Sequence, residues 1–297
     1  MNTITANPTL ANQLELQTWT WKSHKIKYTV MGTGEPLLLI HGFGGCIGHW
    51  RNNIPILATG GYQVFAIDLL GFGASSKPPL SYNLELWQEL LYDFWSENIQ
   101  KPTVFVGNSI GGLLSLMILA DHPEIAKGGI LVNCAGGLNH RPHELNPPLR
   151  FIMGMFTKLV TSPALGPFIF NQVRQKHRIR NTLKQVYINK EAVTEELVEL
   201  IHRPSCDSGA QKVFASILTA PPGPHPSELL PKIKAPLLVI WGEKDPWTPI
   251  TAGKMYQELA KKDASIQFIP LPNTGHCPHD EQPKIVNSLI LDWLSQR

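Results

Sequence analysis

The sequence predicts an α/β protein: a mostly parallel, eight-stranded sheet with helices on both faces and a helical cap inserted late in the chain. Three observations carry this reading. Short, unbroken apolar runs recur along the chain, helical patterns separate most of them, and one connection is far too long to be a turn. Unbroken apolar runs suit strands covered on both faces, as in a parallel sheet.

The elements follow in order. WTWKSHKIKYTVMG, from Trp19 to Gly32, alternates and reads as a two-stranded hairpin turning near Ser23. After Gly32-Thr33-Gly34 the pattern changes to apolar runs at 36–40, 62–67, 103–106, 129–132, 236–240 and 266–269. Helical patterns fall at 84–99, 110–120 and 252–259, and a helix over 283–294 closes the chain. From about 137 to 231 no strand is visible. Pro142, Pro147, Pro148, Pro163, Pro167, Pro204, Pro221, Pro222, Pro224 and Pro226 interrupt this stretch, with helical segments at 149–160 and 194–202. Phe151, Ile152, Met153, Met155, Phe156, Phe168, Ile169 and Phe170 make it too apolar for a disordered linker. The expected division is a discontinuous core, residues 1–136 and 231–297, and a helical cap, residues 137–230. The cap is inserted between the sixth and seventh strands.

Composition narrows the function. A chain of 297 residues with 43% hydrophobic and 16% charged residues can bury a substantial core. A net charge of +3 gives no support to a nucleic-acid partner. Cys46, Cys134, Cys206 and Cys277 are scattered without a CxxC pair, so free thiols are expected and neither a metal nor another cofactor is. The first residues lack the basic start and apolar run of a secretory signal, and no run is long enough to span a membrane. A cytoplasmic protein is expected, with peripheral membrane contact left open.

The chemistry concentrates at strand ends. Gly107-Asn108-Ser109-Ile110-Gly111 is a G-x-S-x-G motif between an apolar strand and a helix, the context of a nucleophile elbow. A serine needs a base. His276, in Asn273-Thr274-Gly275-His276, follows the last strand and is the candidate; His279 is its nearest rival and is expected to be a surface residue. The acid that orients the base should end another strand. Asp245 in WGEKDPW is the candidate, with Glu243 as runner-up. Asp68 also ends a strand but precedes the serine, and the order serine–acid–histidine assigns it to bracing its own turn. Asn133 ends the 129–132 run, so no acid stands there. Two N–H donors for an oxyanion are expected at Ile110 and at Phe43, in the loop HGFGG after the first parallel strand.

Taken together, HGFGG at 41–45, DLLGFGASSKP at 68–78, GNSIGG at 107–112, WGEKDPWTP at 241–249 and GHCPHDEQP at 275–283 resemble the α/β-hydrolase superfamily. The likeness runs from Trp19 to the C-terminus and implies the α/β-hydrolase fold and a serine hydrolase without a cofactor. HWRNNIPIL at 49–57, NSIGGL at 108–113 and the cap segment TEELVELIHRP at 194–204 are similar to the pheophytinase and chlorophyll dephytylase group of plants and cyanobacteria. That likeness implies hydrolysis of the phytyl ester of chlorophyll or another chlorin pigment. Trp247, Phe156 and Phe168 are the candidate contacts for the small apolar ester, the latter two as buried cap residues. The basic run Arg174, Lys176, His177, Arg178, Arg180 and Lys184 offers contacts to anionic headgroups. A small-ester esterase or a carbon–carbon bond hydrolase would use the same triad. A non-catalytic binder of a hydrophobic ligand would not need it, and the aspartate nucleophile of haloalkane dehalogenases and epoxide hydrolases is replaced here by Ser109.

Overall fold

The structure, a computed structural model, describes residues 14–141 and 146–297. Pro142 lies outside them. One eight-stranded sheet is built in the order β1-β2-β4-β3-β5-β6-β7-β8. β1 (Gln17–Trp21) and β2 (His24–Met31) form the expected hairpin; Lys22 and Ser23 both take positive φ, as a two-residue hairpin turn requires. β2 is also antiparallel to β4 (Tyr62–Ile67). From there β3 (Glu35–Ile40), β5 (Thr103–Asn108), β6 (Ala126–Val132), β7 (Leu237–Gly242) and β8 (Ile266–Leu271) continue the sheet in parallel.

Burial explains the unbroken apolar runs. In β3, Leu37 and Leu39 face one hydrophobic layer with Trp50, Ile130 and Trp293, while Leu38 and Ile40 face the other with Trp87, Phe105 and Leu116. Helices α1 (Ile54–Thr59) and α12 (Pro283–Leu294) cover the first face. Helices α2 (Leu84–Asn98), α3 (Ile110–Asp121) and α10 (Ile250–Ala260) cover the second. α3 lies so deep that Ile110 through Leu119 are all buried.

Between β6 and β7 the chain is helical: α4 (Pro147–Thr161), α5 (Gly166–Val173), α6 (Lys176–Val186), α7 (Glu195–Ser205), α8 (Ala210–Thr219) and the single turn α9 (Pro226–Leu229). No strand interrupts it among the described residues. Pro204 does not break α7 as the sequence suggests. It sits in the last turn, where the Leu200 carbonyl deprived of its helical partner accepts the Cys46 thiol at 3.8 Å. A last single turn, α11 (Pro278–Glu281), links the loop after β8 to α12. All four cysteines are free thiols.

Candidate active site

Ser109 stands between β5 and α3 at φ 56, ψ −119. That conformation strains a residue with a Cβ and throws the side chain off the strand end. Two bare glycines make the turn possible. A Cβ on Gly107 would lie 2.0 Å from the Gly111 carbonyl oxygen, and one on Gly111 would lie 2.3 Å from that of Ile40. The elbow is then pinned from outside, with Ser109 N–H donating to Val132 O and Ala135 N–H donating to Ser109 O, both at 3.0 Å.

The glycine loop at 41–45 leaves β3 alongside. His41 fixes it, donating from Nδ1 to Gly42 O at 2.7 Å and accepting Leu69 N–H on Nε2 at 3.0 Å. Burial pushes this ring from the usual 6.5 down to about 4 against the opposing pull of the Gly42 bond, so it is neutral and its tautomer is set by the two bonds. The loop comes so close to the elbow that a Cβ on Gly42 would lie 3.2 Å from Ser109 Cβ. Among the described residues neither Phe43 N–H nor Ile110 N–H has a protein acceptor, so both expected oxyanion donors are free.

Asp245 lies in the turn three residues past the end of β7 and is buried. Its Oδ2 lies 2.6 Å from His276 Nδ1 and also accepts Asn133 Nδ2 at 2.7 Å and the Thr248 hydroxyl; its Oδ1 accepts Trp247 N–H at 2.7 Å. Burial pulls the carboxyl upward. The bonds and charge of His276 with those of Thr248 outweigh it, so the group is held below the usual carboxylate range. Asn133 is itself fixed, because its Oδ1 accepts Gly242 N–H at 2.9 Å. Glu243, by contrast, is exposed and makes no bond to His276.

His276 is held from two sides. Its N–H donates to Val186 O, at the end of α6, at 2.8 Å. Its carbonyl accepts Asn108 Nδ2 at 3.0 Å, and the same amide donates to Val132 O at 3.1 Å. The residue before the serine therefore ties down the backbone of the histidine. Glu281 completes the loop: Oε2 accepts Gly275 N–H at 2.8 Å, and Oε1 accepts Ile188 and Asn189 N–H at 2.8 and 2.7 Å. Beside it, Asp280 is clamped by Arg51 at 2.9 Å and the Tyr187 hydroxyl at 2.8 Å. The Asp245–His276 bond is formed, whereas no hydrogen bond joins Ser109 Oγ to His276 among the described residues. Bonds of this kind often close only around substrate.

Two expectations are corrected here. His279 is fully buried rather than on the surface, its ring 4.1 Å from that of Trp50, and burial pushes its pKa well down. It ends up inside because its neighbours Asp280 and Glu281 are drawn in to fasten the loop. Phe156 and Phe168 are not buried cap residues: both are exposed, because α4 and α5 turn those faces away from the packed helices. Trp247 does stand at the site, edge-on to the His276 ring at 5.1 Å and half exposed. Asp68 braces its turn as expected, accepting Ile47 and Ala74 N–H at 2.7 Å each. Nothing local in the sequence points to the holding roles of Asn108, Asn133 and Glu281, whose partners are distant in the chain or lie on backbone groups, whereas Thr248 holds Asp245 from only three residues away. No group of three or more His, Cys, Asp or Glu side chains is arranged to hold a metal among the described residues.

The sequence pattern of the Alpha/beta hydrolase family matches residues 37–289, and the chain belongs to that family. Its relatives are hydrolases. It is 28% identical to chloroplastic pheophytinase of Arabidopsis thaliana over 87% of this chain, and spans 60% of that protein's length. It is 26% identical to 2-hydroxy-6-oxo-6-(2'-aminophenyl)hexa-2,4-dienoic acid hydrolase of Metapseudomonas resinovorans, covering 91% of this chain and 88% of that one. Among solved structures, a serine hydrolase involved in carbazole degradation superposes with a TM-score of 0.75 at 23% identity, covering 96% of this chain and all of that one, a likeness of fold.

Proposed function

We propose that the chain is a serine hydrolase that cleaves a carboxylic ester through Ser109, His276 and Asp245. The observation that carries this is the buried 2.6 Å bond from His276 Nδ1 to Asp245, set beside a strained serine elbow whose neighbouring N–H groups are free. With Nδ1 donating to Asp245, Nε2 is the basic nitrogen and takes the Ser109 proton as Oγ attacks the ester carbonyl. The carbonyl oxygen becomes an oxyanion and is met by Phe43 and Ile110 N–H, each worth about 3 kcal/mol in the transition state. Protonated His276 gives its proton to the departing alcohol. Water then enters by the same route and releases the acid.

The substrate we propose is the phytyl ester of chlorophyll or a related chlorin. The similarity to pheophytinase supports it. A second reading, hydrolysis of a carbon–carbon bond, is favoured by the similarity to the dienoic acid hydrolase. Ser109→Ala tests the reaction: loss of turnover of a nitrophenyl ester by about 10⁶-fold with the fold intact is expected. A variant that keeps a tenth of the parent rate would remove Ser109 from the mechanism. Free phytol released from chlorophyll or pheophytin, with no turnover of a dienoic acid, separates the two substrates.

A further inference from the structure

The first half of the inserted helical segment is poorly packed. α4 is an apolar helix of fifteen residues, yet only Val160 in it is buried. α5 follows at a bend of 110°, and the corner they form is bare: Phe151 is 70% exposed, Ile152 61% and Phe168 64%, with Met155 and Leu165 close to half exposed. Contiguous apolar surface of this kind is costly in water and marks a face that meets something. Charge indicates what it meets. Between Glu144 and Glu191 the chain carries eight of its 26 Lys and Arg and none of its 23 Asp and Glu. The remainder, 18 bases against 23 acids, is net negative. Lys176 and Arg180 are paired with Glu199 and Glu195, but Arg150, Lys158, Arg178 and Lys184 are exposed and form no ion pair among the described residues.

We propose that the α4–α5 corner docks on the surface of an anionic lipid bilayer, with Phe151, Ile152 and Phe168 inserted below the headgroups and Arg150 and Lys158 among them. Exposed apolar side chains interleaved with unpaired cations are the composition of a helix that lies in a membrane interface. α4 is about 22 Å long, short of the hydrocarbon core, and no single described helix is long and apolar enough to cross a membrane. The corner therefore rests in one leaflet. A second copy of the chain is the poorer occupant. A two-fold contact over this face would set two acid-free, cationic surfaces against each other. The corner also leads to the site. Phe170 in α5 lies 5.3 Å from Phe214 in α8, and Phe214 lies 6.1 Å from Phe43 in the loop beside Ser109. An ester with an apolar tail would meet aromatic surface from the bilayer to the Phe43 loop, a consequence that rests on the hydrolase reading; the docking itself does not.

The test is flotation with vesicles of phosphatidylcholine alone and with about one third phosphatidylglycerol, the latter a composition whose headgroup charge recruits basic residues. The full chain should bind the anionic vesicles at least about tenfold more tightly, and high salt should weaken the binding. Phe151→Ser with Ile152→Ser should cut the partition by at least about tenfold. Arg150→Glu with Lys158→Glu, which disturbs no packed residue, should remove the preference for anionic lipid. Both variants should keep the parent melting temperature and nitrophenyl ester turnover. Ser109→Ala should bind as the parent does, which separates this result from failure of the hydrolase reading. Absence of vesicle binding by the parent would overturn the proposal. So would binding of both double variants to the anionic vesicles as tightly as the parent binds, or a lipid-free dimer that Phe151→Ser with Ile152→Ser dissolves.

Discussion

Replacing Asn108 by alanine probes the link between the two halves of the candidate site. The amide donates to Val132 O and to His276 O and is buried. Val132 O would keep a partner, because Ser109 N–H also reaches it at 3.0 Å. His276 O would keep none among the described residues. An orphaned buried carbonyl costs about 1–3 kcal/mol, and the second lost bond adds about 1 kcal/mol. The sum is roughly 2–4 kcal/mol. Unfolding entropy of about 2.1 cal/mol/K per residue makes this a fall of about 3–6 °C in melting temperature for a chain of this length. The catalytic effect should exceed what the stability loss alone would cause. With its carbonyl released, the His276 backbone keeps only its N–H bond to Val186 O, while the ring keeps Asp245 and Thr248, so the imidazole should be less firmly oriented. We expect kcat for a soluble nitrophenyl ester to fall at least about tenfold with KM nearly unchanged, since the lost interaction acts on the chemical step. Thermal melts and steady-state kinetics on parent and Asn108→Ala decide it. A variant that melts within about 1 °C of the parent and turns over within about twofold of it would show that the amide does not position the histidine.

Two further outcomes follow from the site. Asp245→Asn should lower kcat by about 10³–10⁴-fold while Glu243→Gln stays near the parent, read by the same ester assay; the reverse order would mean that the acid is misassigned. His41 should make the protein acid-sensitive. Its folded pKa of about 4 lies below 6.5, so under pH 6.5 the unfolded chain gains protons that the folded one refuses, and stability falls toward about pH 4. That amounts to about 2–3 kcal/mol between pH 7.5 and 4.5. Asp68, pushed up to about 6 by burial, works the other way below pH 6. The comparison is therefore parent against His41→Gln in urea melts at the two pH values, and equal losses would refute the assignment.

Much of this architecture is legible in the sequence because its signals are local. A strand buried on both faces needs apolar residues throughout, so Leu37–Ile40 and Leu237–Ile240 stand out without a structure. The elbow is equally plain, since the steric demands at Gly107 and Gly111 fall within five residues. The supports are hidden for the opposite reason. Asn108 meets a residue 168 positions away, and Asn133 meets Asp245 across 112 positions. Nothing near an uncharged amide in sequence announces such a partner. His279 misleads because polar neighbours normally mean a surface, yet here those neighbours are buried by Arg51, Tyr187 and backbone N–H groups. Phe156 and Phe168 mislead because apolar character is the same whether a side chain fills a core or faces outward.

The bond from His276 N–H to Val186 O, with Glu281 bridging to Ile188 and Asn189, limits how the inserted helices of this chain can be exchanged. The inserted helices look like an exchangeable module between β6 and β7. They are not one at this point, because the turn after α6 supplies part of the scaffold for the histidine loop. A graft that cuts at the ends of β6 and β7 and imports a foreign cap removes those anchors along with the old binding surface. A graft that retains 183–191 and replaces only α4, α5 and α8 leaves the loop seated. The bare, apolar half of the insertion can thus be exchanged without touching the anchors of the histidine loop, whereas the half that holds Val186, Ile188 and Asn189 cannot.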